Sequence, residues 1–211
     1  MELEKTDQEQ VEELQKWWRE NRLALVGGLV LGIGALVGWE QWQDSRGESA
    51  MAASQSYTAV ERAAQGEDAE AAQAAMRELE QAHPGSVYLV HGYSALAAQA
   101  AQAEDWPAAV EALQQALDSG PDGELRGLLR LRLARAQWAA EQPDAARATL
   151  QASLPAAFEA QARELAGDIA WAQGDREAAR SDWEAAAEAA ADGPRAAQIR
   201  RKLDRFGTEA S

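Results

Sequence analysis

The sequence predicts an all-α protein: one N-terminal membrane-spanning helix, then an α-solenoid of about four helix pairs closed by a capping helix. Three observations predict it. An uncharged run of 17 residues, Leu23 to Trp39, lies between two pairs of tryptophans. Beyond Asp44 strand signals are nearly absent, while the strong helix formers Ala, Gln, Glu, Arg and Leu dominate. Within that part a turn, then a small residue, then a bulky residue four positions on recur at near-regular spacing.

The apolar run comes first. At 1.5 Å rise per residue it makes a helix of roughly 25 Å, a little short of the ~30 Å hydrocarbon core of a bilayer. Trp17 and Trp18 before it, and Trp39 and Trp42 after it, stand where the aromatic belts of the two membrane interfaces would lie. Gly27, Gly28, Gly32, Gly34 and Gly38 would each cost about 1 kcal/mol relative to Ala in a water-exposed helix, whereas glycine is common in membrane spans. A cleavable signal peptide fits poorly. Seven acids against four bases precede the run, and the nearest A-x-A pattern, Ala50 to Ala52, lies well beyond it. The segment therefore reads as an uncleaved signal anchor.

Orientation follows from Lys and Arg. Lys16, Arg19 and Arg22 precede the span and Arg46 alone follows it closely, which keeps the N-terminus in the cytoplasm and translocates everything after about Asp44. The chain thus divides into a cytoplasmic segment 1–22, a span 23–43 and an exported domain 44–211. Gly28 with Gly32, and Gly34 with Gly38, have the small-xxx-small spacing that lets membrane helices approach closely. These faces either meet partner helices or only make the span glycine-rich. Ahead of the span, Thr6 with Glu9 has capping-box spacing, and Val11, Leu14 and Trp18 follow at i, i+3 and i+7. That amphipathic stretch either lies on the cytoplasmic leaflet or extends the membrane helix.

The rest, some 168 residues, suits one well-packed domain. With no cysteine, disulfides, thiolate metal sites and cysteine nucleophiles are excluded. The net charge is −15, of which residues 1–22 supply four bases minus seven acids, −3, leaving −12. Such a surface repels phosphate backbones and anionic headgroups, so nucleic acid is not an expected partner, and lipid contact falls to the span.

Turn and helix breakers fall at Gly66, Pro84 with Gly85, Asp105 before Pro107, Gly120 with Pro121, Pro143, Pro155, Gly174, and Gly193 with Pro194. They delimit about nine helices of one to two dozen residues, the first running on from the span. In "DWPAAVEALQQALDSGP", Ala109, Leu113, Ala116 and Pro121 match the second-helix pattern of a tetratricopeptide repeat, and Tyr93, Leu96 and Ala97 its first-helix positions. Ala72, Ala109, Ala146 and Ala179 register on one frame, with steps of 37, 37 and 33 residues, and Trp138 and Trp171 are also 33 apart. The predicted architecture is a tetratricopeptide-repeat-like α-solenoid with a capping helix at about Pro194 to Phe206.

Such repeats bury their apolar faces by stacking, and their first helices line a groove. Projected on the frame, the groove lining comprises Tyr57 and Glu61, His91 and Ser94, Leu128, Leu131, Arg135 and Trp138, then Glu164, Asp168 and Trp171. It would suit an extended peptide or a partner helix. For Trp138 and Trp171, packing between helices is an equal alternative; Trp183 falls on a core position. The two histidines, His83 and His91, are eight residues apart with no carboxylate cluster at ligand spacing, and no phosphate-binding, nucleophile-elbow or zinc-protease motif occurs. No enzyme activity, metal or cofactor is expected.

The order of these features resembles a known family. An acidic start, "EQVEELQKWWREN", a glycine-rich span closing in "GWEQWQ", then "LRLARAQWAAEQPDAARATL" and "ELAGDIAWAQGDREAARSDWEAA", is similar over nearly the whole chain to the YfgM-like ancillary subunits of the Sec translocon. The resemblance implies a single-pass bacterial inner-membrane protein with a periplasmic repeat domain, associated with the Sec translocon and with a membrane-anchored, prolyl-isomerase-like periplasmic chaperone. It implies a role in passing newly translocated, unfolded client chains to periplasmic chaperones, and a second role restraining a stress-response regulator. An envelope scaffold or negative regulator without a translocation role is the competing expectation.

Overall fold

The computed structural model describes residues 7–66, 68–191 and 193–207. Among them are nine α-helices and no strand: α1 (Asp7–Gln65), α2 (Ala69–Ala82), α3 (Tyr88–Gln102), α4 (Trp106–Asp118), α5 (Gly123–Ala139), α6 (Pro143–Gln151), α7 (Ala156–Ala172), α8 (Arg176–Ala189) and α9 (Pro194–Gly207). Every break falls at a breaker read from the sequence. The Thr6–Glu9 capping box involves Thr6, which lies outside the described residues. The amphipathic stretch from Val11 is part of α1, so it extends the membrane helix.

Helix lengths depart from one to two dozen residues at two places. α1 is 59 residues long, because the span and the first repeat helix share one uninterrupted helix. α6 has only 9 residues, since Ala152 turns extended (φ −65°, ψ 151°) and Pro155 disfavours helix in the residue before it. Arg130 Nη1 donates to the Ser153 carbonyl at 2.5 Å, tying this shortened connection to α5.

Two compact units divide within α1, residues 1–51 and 52–211. The most apolar stretch of α1 has none of its residues buried, and α1 is the one helix among the described residues long and apolar enough to cross a membrane. Leu23, Leu29, Val30, Leu31 and Leu36 are all strongly exposed. A water-soluble chain gains about 1.5–3 kcal/mol by burying each such side chain, so this surface is built for another apolar medium.

The second unit is a stack of helix pairs, α3 with α4, α5 with α6, and α7 with α8, with α9 packed on α8, while the end of α1 shares a hydrophobic cluster with α2 and α3. Aspartates start four of the helices. Asp68, Asp105, Asp122 and Asp175 each accept a hydrogen bond from the backbone N–H three residues on, satisfying a donor that the first turn leaves open. The four alanines of the frame, Ala72, Ala109, Ala146 and Ala179, are at most 1 % exposed.

The core is a chain of four clusters rather than a single centre. Ala53, Val60, Met76, Leu79 and Leu89 join α1, α2 and α3. Val90, Ala97, Leu113, Leu129 and Leu133 join α3, α4 and α5. Leu131, Ala134, Ala146, Leu165 and Ile169 join α5, α6 and α7. Ala170, Ala179, Trp183 and Ile199 join α7, α8 and α9. Each cluster takes both helices of one pair and the first helix of the next, as stacked repeats require.

Candidate interaction surfaces

On α1, Trp17, Trp18, Trp39 and Trp42 are all about half exposed. The Trp39 and Trp42 rings lie 5.0 Å apart, and the Arg46 guanidinium stands 4.3 Å from the Trp42 ring centre. A cation over an indole face next to an apolar run is the chemistry of a membrane interface. A Cβ added at Gly28, Gly32, Gly34 or Gly38 would meet nothing within 4 Å, so both glycine faces are open.

The projected groove residues are split among different surroundings. Tyr57 on α1 stacks on Tyr88 of α3 at 5.6 Å, with His91 6.1 Å from Tyr57 and 6.4 Å from Tyr88. Burial, then the Glu61 carboxylate, raises the Tyr57 pKa above its ordinary 10.0. His91 is exposed, and Ser94 Oγ donates to the Val90 carbonyl at 2.6 Å. Tyr57 and His91, from successive first helices, therefore do meet.

Further along, Leu128 is half-buried and Arg135 exposed. Leu131 is corrected: it is fully buried among Ala134, Ala146, Leu165 and Ile169, because it projects from the side of α5 that meets α6 and α7, and so lines no groove. Trp138 is half-buried against that same cluster. Trp171 is half-buried in the next one, its ring 5.7 Å from Trp183 and the Arg176 guanidinium 4.1 Å from its centre. Asp168 faces α8 and α9, accepting from Trp183 Nε1 at 2.9 Å and from Lys202 Nζ at 2.6 Å. Glu164 takes Arg195 at 2.8 Å and Lys202 at 3.4 Å. Trp138 and Trp171 thus belong to two separate clusters, and the core position of Trp183 is observed.

Two clefts, which the sequence frame did not place, open against successive second helices. One, of about 600 Å³, runs between α2, α3 and α4, with Met76, Leu96, Ala100 and Ala112 at its base. Its counterpart, about 390 Å³, lies between α6, α7 and α8 and carries Arg147, Glu159, Arg163 and Asp182. A signal existed: Ala108, Ala112 and Gln115 at i, i+4 and i+7 leave a stripe on α4 without bulky side chains. Among the described residues, no three His, Asp or Glu side chains converge as a metal site would require.

The fold and these surfaces define a helical-repeat protein that carries an apolar helix. The sequence matches the tetratricopeptide repeat-like domain family over residues 15–208. It is 32 % identical to a protein of Haemophilus influenzae, over 85 % of this chain and 88 % of the relative. It is 31 % identical to one of Escherichia coli K12, over 88 % and 89 %, and 28 % identical to one of Aggregatibacter actinomycetemcomitans, over 86 % and 89 %. All three relatives are named ancillary SecYEG translocon subunit. The chain belongs to this tetratricopeptide repeat-like family of ancillary translocon subunits.

Proposed function

We propose that the protein is a non-enzymatic, single-pass inner-membrane adaptor that joins the Sec translocon to periplasmic chaperones and helps hand over newly translocated chains. The observation that carries this reading is the pairing of an unburied, glycine-faced apolar helix with a repeat domain that holds its own core, in a chain whose relatives are named for the translocon. Residues 1–22 stay in the cytoplasm, 23–43 span, and 44–211 face the periplasm, as the bases before the span favour. The glycine faces at Gly28, Gly32, Gly34 and Gly38 supply the translocon contact and Trp17, Trp18, Trp39 and Trp42 hold the depth. The exposed first-helix groups Arg135 and His91, with the half-buried Tyr57, are offered to a membrane-anchored, prolyl-isomerase-like chaperone or to unfolded clients.

Photo-crosslinking in native membranes tests it. A photoreactive residue at Leu31, which shares a helix face with Gly27, Gly34 and Gly38, is expected to capture translocon subunits, and one at Arg135 the chaperone. Protease added to spheroplasts is expected to digest the domain after Asp44 and spare a small N-terminal fragment. Capture of unrelated envelope proteins at both positions would replace the adaptor with a scaffold, and a protected domain would reverse the orientation.

A further inference from the structure

The charge of the repeat domain is unevenly placed. From Asp68 to Asp118, covering α2, α3 and α4, there are eight acids and one base, Arg77, a net −7. α5 has four arginines and one acid, and α9 five bases and one acid. The larger cleft lies wholly inside the acidic stretch. Glu80 from α2 and Glu111 from α4 line it, both exposed, with Asp105 at one end and Arg77 among them.

Beneath the acids the cleft turns apolar. Met76 and Ala112 are buried and Leu96 and Ala100 half-buried, so an occupant would cover carbon rather than displace a polar network. Two polar groups stand in the wall. Tyr93 has its pKa raised by burial, then by the Glu80 charge, then by its hydrogen bond to Glu80. Gln99 Nε2 is buried without a hydrogen-bond partner, and leaving a buried amide donor unpaired is unfavourable. The counterpart cleft between α6, α7 and α8 has the same topology but is lined by two bases and two acids, against three acids and one base here.

We propose that the cleft between α2, α3 and α4 is a docking site for a basic, amphipathic polypeptide segment, whose apolar side chains rest on Met76, Leu96 and Ala112 while its Lys or Arg side chains meet Glu80 and Glu111. Charge selects the occupant: an anionic lipid headgroup, nucleic acid or an acidic peptide is repelled by the three acids against one base that line the cleft and by the net −7 of the stretch Asp68 to Asp118 that forms it. The proposal deepens the adaptor reading and rests on it for its biological source, a partner or client segment passing the domain. Its test uses purified protein and no translocon, so the two readings can fail separately.

The experiment is fluorescence anisotropy with the full chain in detergent micelles and a labelled synthetic peptide of alternating arginine and leucine. Controls replace arginine by glutamate or leucine by serine. The Arg–Leu peptide is expected to bind, and both controls to bind far more weakly. Glu80→Gln with Glu111→Gln should weaken binding by about fivefold, the loss of two part-exposed ion pairs. Gln115→Trp, which fills the cleft from an exposed position, should also weaken it; Gln151→Trp in the counterpart cleft should not. The far-ultraviolet spectrum and melting point of each variant verify the fold, and the charge pair suffices if the tryptophan disturbs α4. Absence of binding, equal binding of the glutamate peptide, or indifference to the Glu80 and Glu111 changes overturns the proposal.

Discussion

Glu104, Glu141 and Gly174 each lie five residues before one of the buried alanines, and all three have left-handed backbone, with φ of 58°, 60° and 82°. The reason is the turn between paired helices. In each, the N–H of this residue bonds back to Ala101, Trp138 or Trp171, and the next N–H reaches the carbonyl of Ala100, Gln137 or Ala170 at 2.8–2.9 Å, closing the first helix with its carbonyls satisfied. Only Gly174 adopts that conformation freely; for an L residue it costs about 1–2 kcal/mol, partly offset by the greater chain entropy glycine loses. Glu141→Gly is therefore expected to stabilise the domain by about 0.5–1 kcal/mol, read as a higher denaturant midpoint with unchanged slope. A lower midpoint would show that the Glu141 side chain contributes more than its backbone costs.

Among the elements, α7 best shows how a helix is held from three sides. Gly167 has no room for a Cβ, which would come within 2.5 Å of Trp183 Cδ1 and 2.6 Å of Nε1, so α7 and α8 cross with the indole against bare backbone. One position on, Asp168 accepts from that indole and from Lys202 of α9, which binds the terminal helix to the last pair. Both partners of the Asp168–Lys202 pair are largely shielded, at 29 % and 23 % side-chain exposure. Arg180 and Glu184 form a pair along the surface of α8 at 71 % and 56 %. Asp168→Ala should consequently cost about 1.5–3 kcal/mol, the scale of hydrogen bonds to a charged group, since it removes the acceptor of Trp183 Nε1 and one of the two carboxylates that Lys202 meets, against about 0.5 kcal/mol or less for Arg180→Ala. Thermal unfolding of both variants checks this; equal shifts would mean the α7–α9 lock is no stronger than a surface pair.

For the repeat domain as a whole, stability is distributed along a line of clusters that communicate through shared helices. α5 gives Leu129, Leu133 and Ala136 to one cluster and Leu131 and Ala134 to the next. At the C-terminal end, Ile199 is fully buried and joins α9 to Ala170, Ala179 and Trp183. Ile199→Ala should cost about 2–5 kcal/mol, but mostly in its own unit. Hydrogen exchange is expected to speed up in α8, α9 and the facing side of α7 while α2 to α4 keep their protection. Uniform acceleration across the domain would instead show a single cooperative block.

What the sequence by itself determined was everything carried by local chemistry. The apolar run and its flanking tryptophans identify the span, the proline, glycine and aspartate breakers set the helix boundaries, and the spacing of four alanines sets the repeat frame, because capping, backbone preference and helical period act over a few residues. Tertiary structure decided which face of each first helix is covered. α5 meets α4, α6 and α7 at once, so a one-dimensional frame could not tell that Leu131 is core, that Trp138 and Trp171 sit in different clusters, or that Asp168 holds α9. The clefts were hidden for the same reason: each is the gap left by three helices from two pairs, and its walls come together only when the pairs stack.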